Sequence, residues 1–272
     1  MINNIKTFTL FVRPDDRSKE IANNFRNLFA RLSKKPIIES DDGDLIIAIG
    51  GDGTFLDAVS TAKFNQSKVF AGVNTGTLGF LQNISPEEFC SFIEFYSDKK
   101  EITTRKLFLP TITVKLDNNE THSFYAVNEV VVEGLHGHKI SFSEYINDEL
   151  YQNVSANSVC VACSTGDTAF SMNSGGSIDF SEHFQLVRTL VVPIQNAAYE
   201  RFISNPVICP HFNFKMDTTN GSEMLVDGRL QDFSGKIYEV DVSLYGAKYI
   251  HKLELGTYSK VATVRSKILG YN

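Results

Sequence analysis

The chain has 272 residues, of which 42% are hydrophobic, so it can bury one large core or two of ordinary size. Its formal charge of −6 and pI near 5.6 provide no electrostatic attraction to nucleic acid or to anionic membranes, which argues against both as partners. No stretch approaches the roughly 20 consecutive apolar residues of a membrane-spanning helix, and the first residues lack the apolar run of a secretory signal. We therefore expect a cytoplasmic location.

The first hundred residues alternate apolar strands with amphipathic helices. Apolar residues at three- and four-residue spacing predict a first helix that begins at a capping Ser18 and packs one face on a sheet. The repeated strand-helix order is typical of a parallel sheet with crossover helices. The predicted strands are residues 7–12, 45–49 and 69–73, and the later helices are residues 56–64 and 86–96.

The helical period largely disappears after residue 109, and short β-rich runs replace it. These runs are residues 111–116, 125–132, 187–193, 236–245 and 249–255. Asp227-Gly228 between two of the apolar segments indicates a tight turn. We predict an α/β amino-terminal domain with a parallel sheet over residues 1–98 and a β-rich, antiparallel carboxy-terminal domain over residues 99–255, with the polar residues 97–100 at the boundary.

Two short cysteine and histidine motifs are candidates for metal ligands. Cys160 and Cys163 form a Cys-x-x-Cys pair, and His136 and His138 flank a glycine. A structural zinc site needs a second ligand pair, and a thioredoxin-like redox pair needs a strand-to-helix setting near the amino terminus. Neither accompanies the cysteines, and the histidines have no third ligand nearby in sequence. We predict no metal site, two packed cysteines and an exposed histidine loop.

A glycine-rich loop follows the second predicted strand. Residues 50–54, Gly-Gly-Asp-Gly-Thr, run from that strand into a helix and place several N–H groups around one point, which is an anion cradle. A carboxylate beside a polyphosphate is repulsive unless it binds a cation or accepts a proton from an attacking hydroxyl. Asp52 therefore indicates a kinase, with an ordinary turn as the alternative interpretation.

A second glycine-rich cluster, residues 74–80, follows the next predicted strand. Two such loops at the carboxyl ends of neighbouring parallel strands lie where an open α/β sheet forms its ligand crevice. Neither loop contains the P-loop pattern or the Gly-x-Gly-x-x-Gly fingerprint of dinucleotide-binding dehydrogenases. The sequence thus disfavours a Rossmann dehydrogenase.

Five segments, taken in order, carry a resemblance to a known family. They are GGDGT at 50–54, NTGTLGF at 74–80, VNEV at 127–130, TGDTAF at 165–170 followed by SGG at 174–176, and VDG at 226–228. With them the sequence resembles the NAD kinases, which phosphorylate the 2′-hydroxyl of the adenosine ribose of NAD to make NADP. The resemblance also implies that residues after about 256, to 272, return to the first domain.

The resemblance assigns roles residue by residue. It implies Asp52 as general base on the ribose hydroxyl, and Gly50, Gly51, Gly53 and Thr54 as the phosphate loop, with Gly53 beside the substrate. Phe80 would line the adenine pocket, and Asn128 and Glu129 would hold the other ribose and phosphate region. The remaining substrate contacts implied are Asn157, Thr165, Thr168, Ala169, Phe170, Asn173 and Val192.

Several positions depart from the family pattern, all on the nicotinamide side. Ala156-Asn157-Ser158 stands where the family has Gly-Asp-Gly, and Cys163-Ser164 where it has Thr-Pro. Phe170 replaces a tyrosine, and Asn173 replaces a serine. Because Asn157 bonds to a carboxamide but carries no charge, the departures predict a changed affinity or a changed preference between NAD and NADH.

The resemblance implies ATP as phosphoryl donor with Mg²⁺ or another divalent cation, leaves polyphosphate open as donor, and implies a homodimer or homotetramer. Two alternatives stay open. A diacylglycerol-type lipid kinase shares the GGDGT loop, although no basic or amphipathic docking stretch accompanies it here. A non-catalytic dinucleotide sensor would explain the altered residues 156–158.

Overall fold

The structure is a computed structural model that describes residues 5–31, 37–76, 79–99, 102–181, 184–195 and 201–270. The chain folds into two compact units, one of Met1–Leu107 with Tyr249–Asn272 and one of Phe108–Lys248. The domain boundaries predicted from the sequence, 98/99 and 255/256, stay predictions. Thr77 and Leu78 of the second glycine-rich cluster lie outside the described residues, as does Lys100 of the predicted boundary.

The first unit contains a parallel sheet with helices. Its elements are β1 (Thr7–Val12), α1 (Asp16–Arg31), β2 (Ile38–Glu39), β3 (Leu45–Gly50), α2 (Asp52–Thr61), β4 (Val69–Asn74) and α3 (Pro86–Lys99). Strands β2, β1, β3 and β4 lie side by side in that order, all parallel, with Phe8 opposite Leu45 and Leu45 opposite Val69. The predicted parallel sheet is confirmed.

Strand β3 is the centre of this unit. All six of its residues are buried, which suits a parallel strand covered on both faces. Phe25 and Phe29 of α1 pack into the same core. This rigid strand determines where the glycine loop at its carboxyl end begins.

Two helix starts differ from the sequence prediction. Helix α1 begins at Asp16, and the carboxylate of Asp15 accepts hydrogen bonds from the N–H and hydroxyl of Ser18 at 3.0 and 2.8 Å. Ser18 therefore lies inside the first turn, and Asp15 is the cap, because its side chain accepts from the free N–H of Ser18. Helix α2 begins at Asp52 rather than at residue 56, so the glycine loop itself forms the first helical turn.

The second unit is built from antiparallel strands. They are β5 (Thr104–Leu116), β6 (Thr121–Tyr125), β7 (Glu129–Gly134), β8 (Ile140–Ile146), β9 (Glu149–Cys163), β10 (Leu186–Pro193), β11 (Val207–Cys209), β12 (His211–Met216), β13 (Ser222–Val226), β14 (Arg229–Gln231) and β15 (Ile237–Leu253), with β5 and β15 continuing into the first unit. Neighbours in the sheet run in the order β14, β13, β7, β9, β8, β12, β15, and β10 also pairs with β9. The β-rich antiparallel prediction is confirmed.

Several strand limits predicted from the sequence were wrong. The predicted run 125–132 is two strands, β6 and β7, separated by residues 126–128. The two last predicted strands are one continuous strand, β15, and β8, β9 and β12 had not been predicted. Polar residues on the exposed face of β9 dilute its apolar pattern, so tertiary pairing, rather than local preference, decides its length.

The Asp-Gly turn and the carboxy-terminal return are as predicted. Strands β13 and β14 form a hairpin in which Asp227 and Gly228 have φ of 49° and 74°, the left-handed values that such a turn requires. Residues after 248 rejoin the first unit, where His251 lies opposite Val69 of β4. They end in helix α5 (Lys260–Lys267). No helix among the described residues combines the length and apolar composition needed to cross a membrane.

Candidate active site

The amino terminus of α2 lies open to an approaching ligand. Gly51 caps the helix in an extended conformation, and a Cβ on Gly51 or on Gly53 would meet no atom within 4 Å. The first N–H groups of a helix lack partners within it and carry the positive end of the helix dipole. This position therefore suits a phosphate group, and Gly53 is exposed at it.

The carboxylate of Asp52 is fixed by the main chain. Its Oδ2 accepts a hydrogen bond from the N–H of Phe80 at 2.9 Å, and its Oδ1 accepts from Leu81 and Gln82 at 3.0 and 3.1 Å. A carboxylate offers about four acceptor positions. With two of these used at Oδ1 and one at Oδ2, the remaining position is at Oδ2, where a substrate hydroxyl could bind.

The buried side chain of Gln82 holds the glycine loop and was not predicted from the sequence. Its Nε2 donates to the carbonyl of Gly51 at 2.6 Å, and its Oε1 accepts from the N–H of Gly50 at 3.1 Å. The N–H of Thr54 is bonded to the Gly51 carbonyl at 2.9 Å. The N–H groups of Gly50 and Thr54 are therefore engaged within the protein.

Gly50 is required by packing. A Cβ there would lie 2.5 Å from Thr54 Oγ1 and 2.9 Å from Arg13 Cβ, closer than real Cβ contacts come. The half-buried Phe80 lies beside the loop through its N–H bond to Asp52. The predicted site residues of the first unit, Gly50 to Thr54 and Phe80, are thus close together, while their binding roles stay predictions.

In the second unit, the carboxylate of Asp227 organises the start of β7. It accepts hydrogen bonds from the N–H groups of Val127, Asn128 and Glu129 at 2.7–3.3 Å. Burial raises the pKa of Asp227, although these three donors oppose the rise. The VDG motif therefore positions the VNEV motif, a relationship across about 100 residues that spacing alone does not reveal.

Glu129 carries an unsatisfied carboxyl oxygen. The residue is 6% exposed, and its Oε2 has no hydrogen-bond partner among the described residues. Burial, with the nearby charge of Asp227, raises the pKa of Glu129 to about 8, and a bond from the N–H of Phe170 opposes the rise. A buried oxygen without a partner is costly, so this carboxyl group is poised to receive a donor from a ligand.

The segment from Cys163 to Phe170 packs directly against Asn128. The Cys163 N–H donates to the Asn128 carbonyl at 2.9 Å, and a Cβ on Gly166 would overlap the Asn128 main chain. Thr168 is buried, Thr165 and Ala169 are half-buried, and Phe170 is 40% exposed. Phe170 begins the short helix α4 (Phe170–Asn173), whose exposed Asn173 donates from Nδ2 to the Ala169 carbonyl at 3.2 Å. These predicted site residues therefore lie together.

Asn157 and Val192 lie across from each other on β9 and β10. Val191 pairs with Ser158 and Pro193 with Ala156, which leaves Asn157 facing Val192 in the ladder. Val192 is 60% exposed and has φ of 48°, a left-handed value that is strained for a β-branched residue. Backbone strain of this kind clusters at ligand sites.

The other candidate features have structural explanations. Cys160 and Cys163 are free and buried, as predicted, and burial raises the pKa of both thiols. His136 and His138 are exposed. Among the described residues, no group of three or more His, Cys, Asp or Glu side chains could hold a metal ion.

A parallel α/β unit whose central strand leads through a glycine loop to an open helix amino terminus, beside a fixed carboxylate, defines a nucleotide-binding protein of the kinase type. Comparison with known proteins makes this specific. The family described as ATP-NAD kinase N-terminal domain matches residues 12–101. An NAD kinase of Finegoldia magna is 28% identical over 263 residues, which cover 93% of this chain and 94% of that protein.

Two solved structures share the fold. The crystal structure of yeast NADH kinase complexed with NADH has a TM-score of 0.81 at 19% identity and covers 99% of this chain and 89% of its own. The structure of an NAD kinase from Archaeoglobus fulgidus in complex with ATP has a TM-score of 0.70 at 17% identity. The match covers 98% of this chain and 100% of that one. The chain is similar to NAD kinases over most of its length, and the resemblance drawn from its motifs is confirmed.

Proposed function

We propose that the protein transfers the γ-phosphoryl group of ATP to the 2′-hydroxyl of the adenosine ribose of NAD, giving NADP and ADP. The family relationship supports this reaction, and proteins of the same fold have been solved with NADH and with ATP. The single observation that carries the proposal is the Asp52 carboxylate, held by three main-chain N–H groups at the first turn of α2.

Asp52 acts as the general base through Oδ2. The ribose hydroxyl donates to this atom, and its proton moves to Oδ2 as the hydroxyl oxygen attacks the γ-phosphorus. The bond from phosphorus to the bridging oxygen breaks, and ADP leaves. Because phosphoryl transfer depends mainly on positioning and on stabilising charge, a carboxylate that cannot rotate is well suited to this step.

The donor phosphates bind at the amino terminus of α2. Gly51 and Gly53 leave the main chain there open, so phosphate oxygens can reach its N–H groups. A divalent cation, Mg²⁺ or another, would arrive on the phosphates of ATP and neutralise part of their charge. Phe80 lines the adenine pocket.

The second unit carries its own predicted dinucleotide contacts. Asn128 and Glu129 bind the hydroxyls and phosphate of the other ribose, which would supply the donor that Glu129 Oε2 lacks. Thr165, Thr168, Ala169, Phe170 and Asn173 pack along the ligand, Asn157 bonds to the carboxamide, and Val192 contacts the substrate. The cytoplasmic location and the homodimer or homotetramer stay predictions from the sequence.

An Asp52→Asn variant tests the reaction. We expect NADP formation from NAD and MgATP to fall by roughly 10²- to 10⁴-fold, the usual loss for a positioned general base. Asp57→Asn, on the exposed side of the same helix, is the matched control and should retain wild-type turnover. Unchanged kcat in a folded Asp52→Asn enzyme would exclude the proposed role.

Substrate panels separate the alternatives. The wild-type enzyme is assayed with NAD and with diacylglycerol, and with ATP and polyphosphate as donors. Phosphorylated diacylglycerol without NADP would identify a lipid kinase. NAD binding by calorimetry without NADP formation over hours would identify a sensor, the alternative that the uncharged Asn157 favours.

A further inference from the structure

A lysine is buried in the first unit, close to the glycine loop. Lys252 lies on β15, opposite Phe70 of β4, and its side chain is fully buried. Its ammonium donates to Asn83 Oδ1 and to Glu254 Oε1, the latter at 3.2 Å. Lysine is almost never fully buried without a partner, so its location needs an explanation.

The ammonium belongs to a compact charged network. Asn83 Nδ2 donates to Glu254 Oε2 at 3.1 Å, and Arg105 Nε donates to Glu254 Oε1 at 3.0 Å. The Arg105 guanidinium also stacks over the Tyr258 ring at 3.7 Å. The buried Lys252 and the half-buried Arg105 carry two positive charges against the one carboxylate of Glu254.

The next carboxylate that acts on Lys252 is Asp52. Burial lowers the pKa of Lys252 to about 8, while the charges of Glu254 and Asp52 oppose the fall. Arg105 adds to the fall by repulsion. The charged groups that act on the ammonium are therefore Glu254, one residue past the end of β15, Arg105 on β5 and Asp52 on α2.

Residues 80–83 connect Lys252 to Asp52. At one end of this turn, the N–H groups of Phe80, Leu81 and Gln82 bind the Asp52 carboxylate. At the other end, Asn83 is bound through its side chain by Lys252 and Glu254. Asn83 is otherwise exposed, so its conformation depends on these two partners.

We propose that Lys252 is a positioning residue for phosphoryl transfer: its ammonium fixes Asn83 and thereby holds the turn 80–83, whose main-chain donors orient Asp52. This inference rests on the proposed function. Stability alone does not explain a buried lysine here, since a buried charge pair can often be replaced by apolar side chains without loss of stability.

Lys252→Met, Lys252→Arg and Lys68→Met are compared with the wild type. Lys68 is the matched control because it is also buried and donates to the Gly43 carbonyl at 2.8 Å, at the amino end of β4 and away from the glycine loop. We expect Lys252→Met to lose roughly 10- to 100-fold in kcat, with KM for ATP little changed, because small misplacements of reacting groups are costly. Lys68→Met should retain wild-type kcat per folded molecule.

The pH dependence of kcat is a second measurement. A purely structural role of Lys252 would leave it unchanged. Wild-type kcat should fall as the pH rises through about 8, where Lys252 loses its proton. Lys252→Arg should recover part of the activity, because its cation is retained, and should extend activity to higher pH. The kcat of Lys252→Met should not show this fall at alkaline pH.

A second variant keeps the test decisive if Lys252→Met does not fold. Asn83→Ala removes the link at an exposed position and should lower kcat to a similar extent. Wild-type kcat in either Lys252→Met or Asn83→Ala would overturn the inference, as would a loss equal to that of Lys68→Met. Failure of the wild-type enzyme to make NADP would instead overturn the proposed function, so the two failures are distinguishable.

Discussion

The side-chain amide of Gln82 donates to the Gly51 carbonyl at 2.6 Å while its oxygen accepts from the N–H of the preceding glycine, Gly50, at 3.1 Å. One side chain thus binds main-chain groups of two consecutive residues of the glycine loop. Its own N–H binds Asp52 at 3.1 Å, so the loop and the carboxylate share a single anchor. Gly72 leaves space for Gln82, because a Cβ on Gly72 would overlap Leu81 and Gln82.

Gln82→Met retains the length of this side chain and removes both hydrogen bonds. We expect a loss of roughly 10- to 100-fold in kcat, since the loop and Asp52 would shift relative to the substrate. Steady-state NADP assays and urea unfolding measure activity and stability separately. The free energy of unfolding should fall by about 1–3 kcal/mol relative to wild type, because buried main-chain groups lose their partners.

Gln152→Met is the control for Gln82→Met. Gln152 likewise binds two main-chain groups, the N–H and the carbonyl of Ile203, at 2.9 and 3.2 Å, but in the second unit. The Gln152→Met variant should lose stability while retaining wild-type kcat per folded molecule. Equal kcat losses in the two variants would contradict a specific function for Gln82.

The glycine loop could be predicted because its signal is local. A buried strand, the residues 50–54 and a following helix are adjacent in sequence, so backbone requirements and chemistry coincide there. The start of α2 was misplaced because two of the first three loop residues are glycines, which have low helix propensity, yet the sheet and Gln82 hold them in place. Gln82 and Lys252 were missed because their partners become neighbours only after folding.

The limits of local sequence signals are also visible in the second unit. Asp227 was recognised as a turn residue, but its carboxylate binds the main chain of Val127 and Asn128 about 100 residues earlier. The available signal for a buried network was Lys252, which directly precedes Leu253 in a stretch that also contains Lys248 and His251. Periodicity assigns such a residue to a face but does not identify its partners.

Glu129 should make stability depend on pH. Its pKa of about 8 in the folded protein is above the ordinary value of 4.5, so its contribution is greatest below about pH 4.5 and is lost as the pH rises through about 8. Glu129→Gln stays neutral throughout. We therefore expect the free energy of unfolding of the variant, relative to wild type, to rise between pH 5 and pH 8 and to level off above that.

Urea unfolding across that pH range measures the difference for Glu129→Gln. Glu149→Gln, at an exposed position of the same unit, should follow the wild-type pH dependence closely. A constant difference between Glu129→Gln and wild type at every pH would show that Glu129 ionises normally in the folded protein.

Asn157 should influence the choice between NAD and NADH. The oxidised nicotinamide ring carries a positive charge that the reduced ring lacks, and Asn157→Asp would place a carboxylate at this half-buried position. We expect the ratio of kcat/KM for NAD to that for NADH to rise roughly two- to fivefold, the effect of a partly screened ion pair of about 0.5–1 kcal/mol. The rise should shrink at high salt.

Asn153→Asp controls for added charge in the experiment on Asn157. It adds the same carboxylate at an exposed position of β9 and should leave the ratio unchanged. An equal rise in both variants would point to a general field rather than to a contact with the nicotinamide ring. An unchanged ratio in Asn157→Asp would show that residue 157 does not lie near the nicotinamide end of the dinucleotide.

The ion pair of Glu144 and Arg188 should dominate the stability of the second unit. Both side chains are fully buried, with Arg188 Nε at 2.7 Å from Glu144 Oε1 and Gln152 Nε2 at 2.7 Å from Glu144 Oε2. Glu144→Gln removes the negative charge and leaves the guanidinium buried without compensation. We expect a loss of about 3–5 kcal/mol in the free energy of unfolding, because an unpaired buried charge costs far more than a surface pair contributes.

Urea unfolding tests this with two comparisons. Glu39→Gln breaks the exposed pair with Arg26, whose side chains are 43% and 44% accessible, and should cost no more than about 1 kcal/mol. The double variant Glu144→Leu with Arg188→Met removes both charges and should recover most of the loss, since the penalty comes from the uncompensated cation. If the double variant is as unstable as Glu144→Gln, the hydrogen bond of Arg188 to the Asn205 carbonyl, rather than its charge, holds this part of the sheet.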